Sequence, residues 1–341
     1  MYSFTNDYSE GAHPRILQTM MEANLTQNKG YGLDIHSGRA RDLIRKEIRQ
    51  QEADVHFIPG GTQTNLIVIA SALRPYQAVI SAVTGHVNVH ETGAVEATGH
   101  KVLAMDTADG KLTPALINQA LEAHADEHMV QPKMVYISNS TEVGTQYSKA
   151  ELEALSRICR LKGLYLFLDG ARLGAALTSP ANDLTLSDIA ALTDVFYIGG
   201  TKNGALLGEA VVILREDLKT DFRFMIKQRG AMMAKGWLLG IQFEELFRNN
   251  LFYDMARHAN QMAGRLREAI AGCGWSFAWD SRTNQLFPVF SDQVIRELEK
   301  DFSFDRNKRV DESHSCIRLV TSWATTEEGV EAFIEAIKKL S

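Results

Sequence analysis

The chain has 341 residues, of which 45% are hydrophobic and 23% charged, as is typical of a globular protein with a substantial core. Its formal net charge of −6 argues against a nucleic acid or an anionic membrane as a partner, because both call for a basic surface, and favours a small-molecule substrate. The three cysteines are too few and too scattered for a disulfide framework or a zinc knuckle, and no leader or spanning segment is evident, so we expect a cytoplasmic protein.

Apolar strands alternate with helical segments over residues 52–214. In chain order the strands are DVHFI, AVISAV, KVLAM, MVYIS, LYLFLD, VFYIGG and AVVIL. This alternation predicts an α/β fold with a mostly parallel seven-stranded sheet and helices on both of its faces. Ligands bind such sheets beyond the carboxyl ends of the strands, where IPGG, LDGAR and GGTKNG all fall.

The last third of the chain changes character. The stretch KGWLLGIQFEELFRNNLFYDMARHANQMAGRLREAIAG is predicted to be one long helix, and it leads to a closing strand and helix. We therefore predict a large domain over residues 31–240 and a small α+β domain over residues 241–341. Residues 1–30 are predicted to form an N-terminal segment that packs with the small domain.

Lys202 lies in the glycine-rich turn GGTKNG between two interior strands. A lysine that points into the body of a protein tends to lose its proton, because burial disfavours the ammonium form, and the neutral amine is a nucleophile. The alternative is that Lys202 only closes the turn and extends its ammonium group to water, as most lysines near strand ends do.

Two further motifs at strand ends could bind an anion and a cation. Gly61 and Thr62 come between a strand and a helix, where free backbone N–H groups can bind phosphate; alternatively Thr62 and Asn65 imitate a capping box. Asp169 ends an apolar strand, and a buried carboxylate is rarely unpaired. Asp169 therefore either forms an ion pair with Arg172 or pairs with a heterocyclic cation, such as the protonated ring nitrogen of pyridoxal phosphate.

Histidine and arginine residues extend this set. His86 and His90 are spaced as two metal ligands on one helix would be, but no third ligand has a convincing place, so we favour a ring stacked on a planar cofactor or a core role and expect no metal. Arg318 lies in an apolar strand, where it must be ion-paired or bind an anionic ligand such as a substrate carboxylate.

Seven segments, in this order, resemble the low-specificity threonine aldolases, which belong to the pyridoxal-phosphate β-eliminating lyases: FTNDYSEGAHPRIL, GYG, GGTQTNL, GHVNVHETGAVE, FLDGARLGAAL, GGTKNGALLGEAVV and IRLVTSWATT. The resemblance spans nearly the whole chain, and LDGAR and GGTKNG are its specific parts. It implies an aspartate aminotransferase-like fold (fold type I) with pyridoxal 5′-phosphate as cofactor. The implied reaction cleaves a β-hydroxy-α-amino acid, such as L-threonine, L-allo-threonine or phenylserine, to glycine and an aldehyde.

The same resemblance implies a role for each residue that binds the cofactor. Lys202 matches the lysine that binds it covalently, and Asp169 matches the carboxylate at its pyridine nitrogen. Gly61 and Thr62 match the phosphate-binding pair. His86 matches the imidazole stacked on the ring, and with Lys202 and Asp169 it completes the predicted catalytic set.

Substrate binding is implied in the same way. Arg172, which we also count among the cofactor-binding residues, and Arg318 match the arginines that bind the substrate α-carboxylate. Asn6 stands where family members often have a serine, and Tyr31 falls in a segment that comes close to the active site of an adjoining subunit. The resemblance therefore implies a homotetramer, a dimer of dimers with shared active sites.

Departures from the family pattern leave the general base unassigned. A second histidine of many aldolases falls within SNSTEVGT, where Glu142 is the only titratable residue, and Ser322 replaces another histidine. We consider His86, acting through a water, or His90 as the base. Three rivals stay open: a β-eliminating lyase that uses the same cofactor, a non-catalytic vitamin-B6-binding protein, and a metal-dependent hydrolase built on the two histidines.

Overall fold

The computed structural model describes residues 1–341, in which strands and helices alternate as the sequence predicts for residues 52–214. The strands are β1 (Tyr2–Ser3), β2 (Asp54–Ile58), β3 (Gln77–Ala82), β4 (Val102–Met105), β5 (Gln131–Ser138), β6 (Tyr165–Asp169), β7 (Val195–Gly199), β8 (Glu209–Ile213), β9 (Ser276–Phe277), β10 (Gln285–Leu286), β11 (Pro288–Ser291), β12 (Phe302–Ser303), β13 (Asp305–Arg309) and β14 (His314–Val320). The helices are α1 (Pro14–Ala23), α2 (Ile35–Ile48), α3 (Gly61–Ala72), α4 (His86–Val89), α5 (Pro114–Glu122), α6 (Lys149–Lys162), α7 (Leu173–Leu177), α8 (Leu186–Leu192), α9 (Phe222–Gln228), α10 (Trp237–Phe247), α11 (Leu251–Gly272), α12 (Asp292–Leu298) and α13 (Glu327–Leu340). No helix combines the length and the apolar character needed to cross a membrane.

The large sheet has seven strands in the order β2-β8-β7-β6-β5-β3-β4, which confirms the predicted α/β sheet. Four of its six neighbouring strand pairs are parallel, and the two pairs made by β8 are antiparallel. Helices cover both faces, so every residue of β6 is buried and successive side chains enter opposite cores. Leu166 and Leu168 enter one core and Phe167 the other, which places Asp169 on the same face as Phe167.

A small sheet is built around β14, which pairs with β10, β11 and β13. Next to it, β1 pairs in parallel with β12, and Phe4 belongs to the apolar core that α11 and α13 share with this sheet. The start of the chain therefore packs on its last third. The boundaries at residues 30 and 240 stay predictions.

The predicted single long helix is wrong, because it is two helices, α10 and α11. They are separated by the short 3₁₀ turn Arg248–Asn250, in which Asn249 and Asn250 have φ values of 55° and 65°. Asparagine is among the residues that adopt this left-handed region most readily. The consecutive asparagines thus let the chain change direction inside an otherwise helical pattern.

Glycine at position 170 is required by the close approach of β6 and β7 at the cavity end of the large sheet. A β-carbon there would lie 1.9 Å from the carbonyl oxygen of Tyr197. We expect Gly170→Ala to lower the free energy of unfolding by about 1–3 kcal/mol, because the backbone of one strand must move. Urea denaturation followed by circular dichroism measures this loss.

Gly264, inside α11, is the matched control, since a β-carbon there would meet no atom within 4 Å. Gly264→Ala should raise the free energy of unfolding by about 0.5–1 kcal/mol, the usual gain from alanine in a helix interior. Equal effects of the two substitutions would contradict the steric explanation for Gly170.

Candidate active site

The candidate site is a cavity of about 360 Å³ beyond the carboxyl ends of the strands of the large sheet. It brings together six residues that the sequence singled out: Gly61, Thr62, His86, Asp169, Arg172 and Lys202. A second cavity of about 780 Å³ shares part of this wall and extends toward the small sheet. Binding sites in this fold class are expected at this edge of the sheet.

Lys202 follows β7 and lines both cavities, while its ammonium group makes no hydrogen bond or ion pair within the chain. Burial lowers the pKa of Lys202 below its usual value, and the neighbouring charge of Arg172 lowers it further. Asp7 and Asp169 partly oppose this shift. The geometry thus favours an amine that gives up its proton easily over a lysine that reaches to water.

Asp169 is held by three donors at the end of β6. Its Oδ1 accepts the backbone N–H of Ala171 at 2.9 Å, and its Oδ2 accepts Tyr136 Oη at 2.5 Å and Asn65 Nδ2 at 3.2 Å. Arg172 is not a partner, so the interpretation as an ion pair between residues 169 and 172 is wrong. These hydrogen bonds fix the Asp169 carboxylate at the cavity wall. Its negative charge stays available to a cationic ligand.

Arg172 instead forms a two-contact ion pair with Asp7, a residue that sequence reasoning missed. Arg172 Nε and Nη2 lie 2.7 and 3.0 Å from the two carboxylate oxygens, and Asn284 Nδ2 donates to Asp7 at 2.9 Å. Burial alone would raise the pKa of Asp7, but Arg172 and Lys202 hold it below its usual value. Asp7 lies in the segment FTNDYSEGAHPRIL, but no spacing in the sequence indicates a partner 165 positions away.

His86 begins α4, and its Nδ1 lies 2.7 Å from Oε1 of the buried Glu91. Asn65 Nδ2 donates to the same oxygen at 2.7 Å and also reaches Asp169, so a chain of hydrogen bonds joins the imidazole to that carboxylate. The ring of His90 is 5.4 Å from that of His86. No cluster of three or more metal-ligating side chains occurs in the structure.

The first turn of α3 presents backbone N–H groups to the cavity. Gly60 is the N-cap and makes no side-chain capping bond, so Thr62 lies inside the helix and the capping-box interpretation of Thr62 and Asn65 is wrong. Asn65 bonds to Glu91 and Asp169 instead. The unpaired N–H groups and the positive end of the helix dipole make this turn suitable for a phosphate group.

Two of the predicted substrate-binding residues lie elsewhere. Asn6 accepts hydrogen bonds from the backbone of Tyr8 and from Ser9 Oγ and does not line either cavity, whereas Tyr8 lines both. Tyr31 is half exposed in a separate depression with Arg223 and Phe224. Its role at a neighbouring subunit's site stays a prediction.

Arg318 lies on β14 and lines only the larger cavity, to which the small sheet contributes. Its guanidinium group forms an ion pair with Asp305 of β13 and donates to the carbonyl oxygen of Thr5 at 3.4 Å. The interpretation of Arg318 as an ion-paired residue is thus confirmed, and its binding of an anionic ligand stays a prediction, although the residue lines a cavity.

Two further carboxylates line the cavity: the partly buried Glu142, which falls within SNSTEVGT, and the buried Glu209, which no sequence motif marks. Burial raises the pKa of Glu142 above its usual value; its Oε1 accepts Ser138 Oγ at 2.7 Å and the backbone N–H of His86 at 3.0 Å. Burial raises the pKa of Glu209 to about 8, although Lys202 opposes this. Glu209 accepts bonds from Thr201 Oγ1 and the backbone N–H of Gly200.

Comparison with known proteins gives one consistent relationship. A family model described as "Beta-eliminating lyase" matches residues 5–293. The low specificity L-threonine aldolase of Pseudomonas aeruginosa is 35% identical over 302 residues, 86% of each chain. That of Escherichia coli strain K12 is 28% identical over 319 residues, 92% of this chain and 91% of the relative.

Solved structures agree with these sequence matches. The threonine aldolase of Leishmania major is 55% identical, with a TM-score of 0.99 over 100% of this chain and 99% of that one. An aspartate aminotransferase of Thermus thermophilus is 16% identical, with a TM-score of 0.73 over 100% of this chain and 92% of the other, and shares the fold. The expected aspartate aminotransferase-like fold is confirmed.

Glu209 makes stability depend on pH. Its pKa is about 8 in the folded chain and 4.5 ordinarily, so the folded state binds more protons between these values and stability falls as pH rises through them. Glu209→Gln removes this loss, which has a slope of up to about 1.4 kcal/mol per pH unit. Urea denaturation at pH 5 and pH 8 should show the variant gaining on the wild type at the higher pH.

Glu335→Gln is the control, because Glu335 is exposed and has no ion-pair partner. Its difference from the wild type should be the same at both pH values. A parallel pH dependence of the wild type and Glu209→Gln would mean that Glu209 keeps an ordinary pKa.

Proposed function

The chain belongs to the β-eliminating lyase family, and we propose that it is a pyridoxal-phosphate-dependent aldolase that cleaves β-hydroxy-α-amino acids to glycine and an aldehyde. L-threonine, L-allo-threonine and phenylserine-like compounds are the proposed substrates. The observation that carries the proposal is one cavity in which Lys202, Asp169 and the first turn of α3 meet. The full-length match to a threonine aldolase at 55% identity supports the choice of reaction.

Pyridoxal 5′-phosphate fits the residues that are present. The first turn of α3, at Gly61 and Thr62, would hold the phosphate, and a β-carbon at Gly61 would approach Tyr197 Oη to 3.4 Å. Asp169 would pair with the ring nitrogen, and Lys202 offers an amine without a partner. When bound, the cofactor supplies an electron sink for the electron pair released from the substrate's Cα–Cβ bond.

The positive charges near the cavity position the substrate. Arg318 is proposed to bind the α-carboxylate, and Arg172, whose Nε and Nη2 are taken by Asp7, contributes its charge and its remaining N–H groups. A carboxylate held at this wall sets the orientation of the bonds at Cα. Such positioning decides which bond breaks.

Cleavage needs a base that takes the proton of the β-hydroxyl group, and Glu142 is the group we propose for this role. One of its oxygens is fixed by Ser138 and by the backbone of His86, and the carboxylate lines both cavities. A raised pKa brings a carboxylate closer to the operating pH, which makes it a better base. His86 contacts Glu91 through Nδ1, which leaves Nε2 to act through a water.

We also propose a cytoplasmic homotetramer with shared active sites. Apolar side chains that the fold leaves exposed support an assembly: Tyr31, Leu33, Ile35 and Phe224 are all at least 46% exposed. Tyr31 and Phe224 line one depression, and monomeric proteins rarely leave a contiguous apolar patch uncovered, so this depression supports a second copy as its partner. The three free cysteines support a reducing compartment.

The first test is product identity. Purified protein, loaded with pyridoxal phosphate, should release glycine from L-threonine or L-phenylserine, and Lys202→Ala should release none. Arg157→Ala, a change at an exposed helix position, is the control and should keep full turnover. β-Elimination would instead release ammonia with 2-oxobutanoate from L-threonine or with phenylpyruvate from L-phenylserine, and these products in place of glycine would support the β-eliminating lyase. Unchanged amino acids with bound cofactor would support a binding protein.

Glu142→Gln tests the base. We expect kcat/KM for L-threonine to fall about 100-fold or more, within the usual range for general-base catalysis. The wild type should lose activity as falling pH protonates Glu142, whose pKa burial and Asp169 raise, and the variant should lack this acidic limb. Glu153→Gln, on the exposed surface of α6, should match the wild type. A limb that survives in Glu142→Gln but not in His86→Asn would assign the base to His86.

A further inference from the structure

Arg172 and Arg318, the two arginines near the candidate site, differ in how firmly they are held. The carboxylate of Asp7 is fully buried. It forms an ion pair with Arg172 and accepts a hydrogen bond from Asn284. Turning Arg172 toward another anion would leave that buried charge without its partner, which is strongly destabilising in proteins. Arg172 therefore stays with Asp7 when a ligand enters.

Arg318 is held loosely by comparison. It faces Asp305 directly in the register of β13 and β14, and its Nη2 donates to that carboxylate. Its Nε is buried and has no hydrogen-bond partner, and its only other contact is the 3.4 Å bond to Thr5. Because a guanidinium group has five N–H donors, Arg318 keeps donors for a further acceptor.

Asp305 can leave Arg318 at low cost. Its side chain is 42% exposed and accepts no other hydrogen bond, and β13 has only β14 as a neighbour. An ion pair this exposed contributes little to stability, so its carboxylate can turn to water. Asp305 and Arg318 both line the 780 Å³ cavity, where an incoming carboxylate would meet the pair.

We propose that Asp305 is an internal competitor for Arg318, whose carboxylate occupies the guanidinium group until the α-carboxylate of the amino acid displaces it. This inference rests on the proposed function, because it takes Arg318 as the residue that binds the substrate carboxylate. Displacement favours ligands that form two parallel hydrogen bonds with Arg318. A ligand that forms only one would gain no more binding free energy than is lost when the ion pair with Asp305 breaks. Asp305 thereby weakens amino-acid binding and excludes small anions.

Asp305→Asn tests the proposal in the enzyme loaded with pyridoxal phosphate. Calorimetric titration should give a dissociation constant for glycine about threefold lower than in the wild type, as expected for removal of an exposed ionic competitor. Glycinamide, which lacks the carboxylate, should bind with an unchanged constant. KM for L-threonine should fall by the same factor, with kcat within about twofold. Asp305→Ala should behave alike, which separates lost charge from any new amide contact.

Asp301→Asn removes an exposed negative charge four positions before Asp305 that has no side-chain partner, and it should leave glycine binding unchanged. Weaker or unaltered glycine binding in both Asp305 variants would overturn the proposal and make Asp305 a residue that orients Arg318. Equal tightening for glycinamide would also overturn it. Tighter glycine binding in a protein that cleaves no β-hydroxy amino acid would refute the proposed function while the competition at Arg318 stands.

Discussion

One buried carboxylate, Asp7, joins three distant parts of the chain next to Arg172, which lines the cavity. Asp7 belongs to the N-terminal segment. It forms an ion pair with Arg172, which follows β6, and accepts a hydrogen bond from Asn284, which precedes β10. Loss of one partner from a buried pair costs about 3–5 kcal/mol in proteins, because the remaining charge is left without compensation. The relative position of the two sheets at the site, and so of the residues that each contributes, depends on this contact.

The charged groups around Lys202 shift one another's pKa values. Lys202 helps to keep Asp7 ionised, and it opposes the rise in the pKa of Glu209. Arg172, in turn, lowers the pKa of Lys202. Buried ionisable groups at this density destabilise a folded chain, and proteins retain them where the chemistry needs a group near its pKa. The site is therefore the part of the fold where stability and reactivity are most directly opposed.

Most of the architecture could be predicted because each strand of the large sheet is a short apolar run, and the order of the runs placed Asp169 and Lys202 at the same edge. Contacts between residues that are distant in the sequence could not be predicted. Arg172 is three positions from Asp169, yet it is the N-cap residue of α7 and pairs with Asp7, 165 residues away. Glu142 falls within SNSTEVGT and stood out there as the only titratable residue, but only the fold shows that it lines the cavity. Asparagine permits the left-handed turn between α10 and α11 without demanding it.

The pairing of β1 with β12 has a consequence for how the protein matures in the cell. The N-terminal segment leaves the ribosome first, but its partner strand begins only at Phe302. At about 5–20 residues per second, it waits roughly 15–60 s before that partner is made. The large sheet can form during this interval, whereas β1 can pair with β12 only after residues 302–303 have been made. Completion of the larger cavity, which Arg318 of β14 lines, is thus a late event in the synthesis of this chain, and Lys202 is made well before it.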